Sequence, residues 1–204
     1  MTILAFDTAT DVATVAVVRD GEVLAERRSR AIRILHEIES ALAEAGVERG
    51  AVERLAVGTG PGSYTGLRMG LITARTLAFA LGVPAAGVST LDALAAGSPG
   101  ATPVIDARRG EIFTLQDGQP SVLAPEDLPV VPGSLYVGDG AVRYRGVLED
   151  RGGTVPGEES EAHVPWARHH AALAADFGSA ERLEPLYLRV PDAEVAVQEG
   201  RLRI

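Results

Sequence analysis

The 204-residue sequence predicts an α/β fold: a mixed sheet flanked by helices, followed by a second, shortened copy of the same unit. Three observations predict it. Apolar runs at the start are joined by a strong hairpin signal. A glycine-rich loop at the centre feeds one long helix. Punctuation at Gly97-Ser98-Pro99-Gly100 then precedes a weaker strand–turn–strand pattern. The expected division is therefore residues 1–98 for the first domain and 99–204 for the smaller second one.

In chain order, 2–7 (TILAFD) reads as a buried strand. Residues 12–18 and 22–27 read as a hairpin around Arg19-Asp20-Gly21, because Asp-Gly favours the tight turn between strands. From about Arg30 to Ala45, apolar residues at Ile34, Leu35, Ile38 and Leu42 recur at helical spacing until Gly46 stops them. Residues 54–57 form a strand leading into GTGPGSYTG. Ser63 or Thr65 can cap the helix that follows, which runs about five turns to Leu81. Leu67, Leu71, Ala74, Ala78 and Leu81 lie on one side of it. Met69, Ile72, Thr76, Phe79 and Ala80 lie on the other, with Arg68 and Arg75 at a seam. A helix apolar on two faces needs a cover on both.

Residues 84–88 read as another strand, and Ser89 caps a short helix over 90–96. In the second half, strands are expected at 103–107 and 111–116 around Arg108-Arg109-Gly110, and at 135–137. A short helix to about Leu148, a loop over 150–162, an Ala-rich helix over 165–177 and an irregular tail without order at its end complete the chain. The order β-β-β-α-β-α-β-α, with an acid closing the first strand, is that of the ribonuclease H-like unit, of which actin and the sugar kinases use two copies.

Composition narrows the chemistry. A net charge of −9 argues against an unspecific grip on nucleic acid. There is no cysteine, so thiol nucleophiles, cysteine-ligated zinc and disulfides are excluded, which suits a cytoplasmic protein. All 19 basic residues are arginine, which removes the P-loop lysine and Schiff-base chemistry. The longest apolar stretch, 76–88, is broken by Gly82 and Pro84 and is too short for a membrane span. The start of the chain lacks the basic flank of a signal peptide.

Five collinear blocks carry a resemblance over nearly the whole chain: ILAFDTAT, GTGPGSYTGLRMG, GVPAAGVSTLDALA, IDARRGEIF and EPLYLR. Together they resemble the TsaB (YeaZ) family, on the actin-like ATPase fold. That resemblance implies a non-catalytic relative of TsaD, the enzyme that places threonylcarbamoyl on the adenosine beside the anticodon of some tRNAs. It implies pairing with a TsaD homologue, help in recruiting the ATPase TsaE, a homodimer when the partner is absent, and only indirect contact with tRNA. TsaD carries two metal-binding histidines in an H-x-x-x-H helix after the strand matching 84–88. Here Thr90 and Leu94 stand at those places, so no metal and no cofactor are expected. One departure is Arg30-Ala31-Ile32, where many members carry a histidine.

The expected partner-binding faces are Ile34, Leu35 and Ile38 of the first helix with Arg68, Met69, Ile72, Arg75, Thr76 and Phe79 of the long one. A vestigial nucleotide site would comprise Asp7, Gly60, Gly62, Ser63, Thr65 and Gly66, since a glycine loop at a helix N-terminus can receive phosphate. The competing reading is a small actin-like phosphotransferase using Asp7 and the Gly62–Gly66 loop. A peptidase finds no nucleophile–base spacing, and Pro61 stands where a nucleophile elbow needs glycine. His163, His169 and His170 match no motif and read as solvated or capping. His36 belongs on the surface of its helix. Asp106, Arg108 and Arg109 read as a charged turn.

Overall fold

The computed structural model describes residues 1–30 and 33–189. Ala31 and Ile32, within the departure at 30–32, and the end of the tail lie outside the described residues. The first sheet contains β1 (Thr2–Asp7), β2 (Ala13–Arg19), β3 (Glu22–Ser29), β4 (Arg54–Gly58) and β5 (Ala85–Val88), in the order β3-β2-β1-β4-β5. β1 runs antiparallel to β2 and parallel to β4. As the central strand it is buried at every residue, which is why it reads as an unbroken run without polar alternation. The β2–β3 turn places Asp20 and Gly21 at φ 52 and 86, the left-handed pair that a tight hairpin needs.

Three helices belong to this half: α1 (Ile34–Glu44), α2 (Tyr64–Leu81) and α3 (Thr90–Gly97). α1 and α2 cover one face of the sheet. There Leu4, Phe6, Val15 and Val17 meet Ile34, Ile38, Leu71 and Ala74 in one core. The alternate residues Ile3, Ala5, Ala16 and Ala56 point to the other face, as the pleat requires. That face is covered by α6 (Ala167–Leu173), whose Ala167 and Ala171 match its small side chains.

The second sheet contains β6 (Thr102–Arg108), β7 (Glu111–Gln116), β8 (Gln119–Leu123) and β9 (Tyr136–Val137), in the order β8-β7-β6-β9. This repeats the β3-β2-β1-β4 part of the first sheet, and no counterpart of β5 follows among the described residues. β8 is not legible in the sequence, because QPSVL carries a proline and shows little alternation. It forms because the Asp117-Gly118 turn brings Pro120 opposite Leu115 at a sheet edge, where a missing N–H is tolerated. The helix expected up to Leu148 divides at Tyr144 into α4 (Asp139–Arg143) and α5 (Arg145–Glu149).

The C-terminal part, expected within residues 99–204, also contacts the first sheet. α6 packs on β1 and β2 and Leu183 enters the core under α1 and α2, whereas Leu188 and Arg189 lie against β6 and β7 of the second sheet. The expected helix over 165–177 is shorter, bounded by Pro165-Trp166 and by Ala174 in extended backbone. The reason is non-local. The first sheet is apolar on both faces: α1 and α2 cover one, and α6 covers the other.

Candidate functional site

The glycines of the central loop are turned toward their own chain. A Cβ on Gly62 would stand 2.2 Å from the Ala9 carbonyl oxygen, one on Gly66 2.1 Å from that of Thr8, and one on Gly70 2.4 Å from Thr8 Oγ1. The segment after β1 is thus seated directly on the start of α2. The Ser63 N–H donates to the Ala9 carbonyl at 2.7 Å, and the Thr8 hydroxyl donates to the Gly66 carbonyl at 2.7 Å. Ser63 caps α2 by accepting from the Gly66 N–H at 3.4 Å. Gly60, at φ +94, accepts from the Thr90 N–H at 2.7 Å. Of the expected nucleotide-loop residues, only Gly62, Ser63 and Thr65 line an open cleft.

Asp7 does not line that cleft and is fully buried. Its Oδ1 accepts from the Ala9 N–H at 2.6 Å, its Oδ2 accepts from the Thr90 hydroxyl at 2.7 Å, and His170 Nε2 lies 2.7 Å from Oδ2. Burial pushes the carboxyl up. The adjacent His170, the Ala9 N–H and the Thr90 hydroxyl outweigh it and hold Asp7 below its ordinary range. Thr90, at the place of the first expected TsaD histidine, is thus a partner of the acid, while Leu94 is buried against the second sheet with Ile105 and Val137.

Two histidines depart from the solvated reading. His170 is wholly buried beside Asp7. His163 is buried too, with its Nδ1 accepting from the Gly138 N–H at 3.0 Å and Nε2 lying 3.2 Å from the Pro156 carbonyl oxygen. Both miss the sequence reading because their partners are distant in the chain. His169 is half-buried, its basicity reduced by burial and by Arg168 and His170 nearby, and His36 is exposed.

The cleft itself lies between the two sheets and encloses about 360 Å³, lined by Thr10, Asp11, Ser63, Tyr64 and Thr65 on one side and by Asp106, Arg108, Asp139 and Phe113 on the other, with Tyr187 and Arg189 of the tail. Arg108 spans it. Its Nη1 donates to Asp106 at 3.0 Å, and its Nη2 meets both Asp11 oxygens at 2.8 Å. Burial, with the Asp106 carboxylate nearby, pushes Asp139 up to about 6. Asp106 repeats the posture of Asp7: each accepts, through Oδ1, from the N–H two residues on. Asp11, Asp139, Tyr187 and Arg189 were not legible as site residues. The usable signal was the recurrence of an acid late in β1 and in β6. Among the described residues no group of three histidines or carboxylates could hold a metal ion.

The outer surface of α2 is the other candidate. Gly66, Leu67, Gly70, Leu71, Ala74 and Ala78 face inward. Phe79 is 91% exposed and Ile72 61%, with Arg68, Arg75 and Thr76 beside them. On α1, Leu35 is 59% exposed. Ile34 and Ile38, expected on the partner face, are instead buried in the chain's own core. They belong with Ala41 and Leu42 to the inward stripe at i, i+4, i+7 and i+8, which leaves Leu35 outside it. Met69 is half-buried against the same core.

Comparison with known proteins agrees with this architecture. Residues 23–134 match the family model described as TsaD, tRNA N6-adenosine threonylcarbamoyltransferase. The chain is 37% identical over 210 residues to an uncharacterised protein of Mycobacterium tuberculosis, covering 95% of this chain and 94% of that one. It is 31% identical over 225 residues to the tRNA threonylcarbamoyladenosine biosynthesis protein TsaB of Bacillus subtilis, covering 95% and 96%. The structure of YeaZ from Pseudomonas aeruginosa superposes with a TM-score of 0.76 at 30% identity, over 92% of this chain and 99% of that one. Component A of the Acidaminococcus fermentans (R)-2-hydroxyglutaryl-CoA dehydratase, at a TM-score of 0.53 and 12% identity over 85% of this chain and 97% of that one, shares the fold alone. With its acid-terminated first strand, its repeated strand order and relatives matched over nearly their whole length, this chain belongs to the TsaB (YeaZ) family of the actin-like ATPase fold.

Proposed function

We propose that the chain is a non-catalytic subunit in tRNA threonylcarbamoyladenosine formation. It pairs with a TsaD homologue through the outer face of α2 and the adjoining α1, helps recruit a TsaE-type ATPase, and leaves the chemistry to its partner in the cytoplasm. Without that partner it self-associates as a homodimer, and it contacts tRNA only through the complex. The observation that carries the reading is the exposure of Ile72 and Phe79 on a helix whose opposite face is fully used by its own core. Covering several hundred Å² there contributes several kcal/mol at about 25 cal/mol per Å², before the costs of association. The sealed Asp7 supports the same reading. A phosphotransferase needs that acid to face its ligand, and here it faces Thr90 and His170.

The test combines two measurements. Ile72→Asp and Phe79→Asp should abolish co-purification with the TsaD homologue while the variants melt like the parent, since neither side chain is in the core. The purified parent chain should restore tRNA modification to a mixture of TsaD and TsaE, and the variants should not. Retained pairing by both variants rejects this surface, and turnover by the isolated chain rejects the non-catalytic role.

A further inference from the structure

The outer stripe of α2 alternates charge and apolar surface. Arg68, Ile72, Arg75 and Phe79 follow one another at i, i+4, i+7 and i+11, all exposed, along about 16 Å of helix at 1.5 Å per residue. α2 carries no carboxylate in its 18 residues. Arg68 donates to the Tyr64 hydroxyl at 3.0 Å and lies over that ring. Arg75 donates to the Leu183 carbonyl at 2.5 Å and the Glu181 carbonyl at 3.5 Å. All these acceptors are neutral. Arg27, Arg49, Arg108, Arg145 and Arg168 each meet a carboxylate, whereas Arg151, like Arg75, donates to a backbone carbonyl and Arg54, like Arg68, lies over a ring. Among the described residues, two guanidiniums with no carboxylate partner thus alternate with Ile72 and Phe79, the two most exposed apolar side chains, in a chain whose net charge is −9.

Pairing this stripe with a second copy of itself does not supply the missing charge. In a parallel arrangement arginine faces arginine. In an antiparallel one centred on the stripe, Arg68 faces Phe79 and Arg75 faces Ile72. Each contact then takes a cation out of water without an anion to receive it, which costs stability. Like charges brought together across an interface also select against that pairing.

We propose that the α2 stripe is built for a helix of a different protein, one that presents two carboxylates two turns apart with an apolar side chain between them. This rests on the docking face of the proposed function and specifies the chemistry of what covers it. The carboxylates bind bidentately to Arg68 and Arg75. Ile72 and Phe79 enter the apolar gaps, and the resulting complex is favoured over the homodimer by charge.

The experiment uses the full chain and the TsaD homologue of the same genome, with affinities measured by calorimetry from low to high salt. Arg68→Glu is the cleaner variant because, among the described residues, Arg68 donates to Tyr64 and lies beside the Tyr64–Tyr187 ring stack without holding any backbone group. Arg75→Glu is accompanied by a melting curve, because it also releases the Leu183 carbonyl, and Arg75→Gln serves as the milder form. Arg68→Glu with Arg75→Gln is expected to weaken pairing about tenfold or more, to flatten its salt dependence, and to leave or strengthen self-association. Reversing the facing carboxylate in the partner should restore affinity to Arg68→Glu. The proposal is overturned if these variants bind the partner as the parent does, or if they weaken only self-association. Loss of binding by Ile72→Asp alongside unchanged binding by the arginine variants would sink the charge assignment and keep the docking face. Indifference to all of them would sink both.

Discussion

Asp7 and Asp106 each stand late in the first strand of their sheet and meet different partners, Asp7 an imidazole and Asp106 two guanidiniums. This difference decides what each acid can do. Asp7 is closed into the core, so removing its charge leaves His170 and the Thr90 hydroxyl with a poorer partner. Asp7→Asn is expected to cost about 3 kcal/mol in denaturant unfolding, the usual scale for breaking a buried pair. Because its folded pKa lies below the ordinary 3.8, its contribution is complete above that value and is lost as pH falls through the folded pKa. Asp139 behaves oppositely. Pushed up to about 6, it destabilises the fold above that pH, and the penalty disappears as pH falls from about 6 toward 3.8. Asp139→Asn keeps an acceptor for the Asp106 N–H and is expected to stabilise at pH 7 by up to about 2 kcal/mol, less than the bare shift because the group is partly solvated. A pH series of unfolding free energies for parent and variants separates the two acids: a rise below pH 6 that Asp139→Asn removes, and a fall below pH 4 that Asp7→Asn reduces.

At the level of elements, α2 does two jobs from two faces. Its N-terminal turns are pressed onto the segment after β1, and only glycine permits that approach. Gly66→Ala would set a methyl 2.1 Å from the Thr8 carbonyl oxygen, a backbone atom that cannot swing aside. It is expected to cost about 3 kcal/mol, read as a lower denaturant midpoint with an unchanged slope. Gly146→Ala in α5, with nothing within 4 Å, is the control and should leave the midpoint unchanged or slightly higher. If Gly66→Ala were equally silent, the loop glycines would have to be explained by a ligand. The pattern GTGPGSYTG was legible as a close-approach loop. What approached it was not, since Thr8 and Ala9 lie some fifty residues earlier and carry no mark of the contact.

For the whole molecule, the returning C-terminal segment is decisive. α6 brings His170 to Asp7, Leu183 enters the first core, and Tyr187 stacks on Tyr64 at 5.3 Å at the mouth of the cleft. Arg108 on one sheet and Asp11 on the other join across the same opening. A sealed Asp7 and a mouth spanned in this way leave the β1 carboxylate out of reach of a ligand in the cleft, which favours the proposed non-catalytic role. Calorimetric titration of the isolated chain with ATP and magnesium is therefore expected to give no binding heat. Micromolar binding would instead favour the phosphotransferase reading.

What the sequence determined by itself was whatever is encoded locally or by collinear motif: the central all-apolar strand, the Asp-Gly hairpins, the capped two-faced helix, and the family carried by five blocks in order. Each follows from the period of the backbone or from a residue that only one local geometry favours. The tertiary structure alone decided which apolar residues of α1 face inward, that the last helix returns to the first sheet, and that Asp7 is paired with His170. These depend on which distant surfaces meet. A buried charge takes whatever partner the packing delivers, and residues far apart in the chain carry no periodicity that announces the encounter.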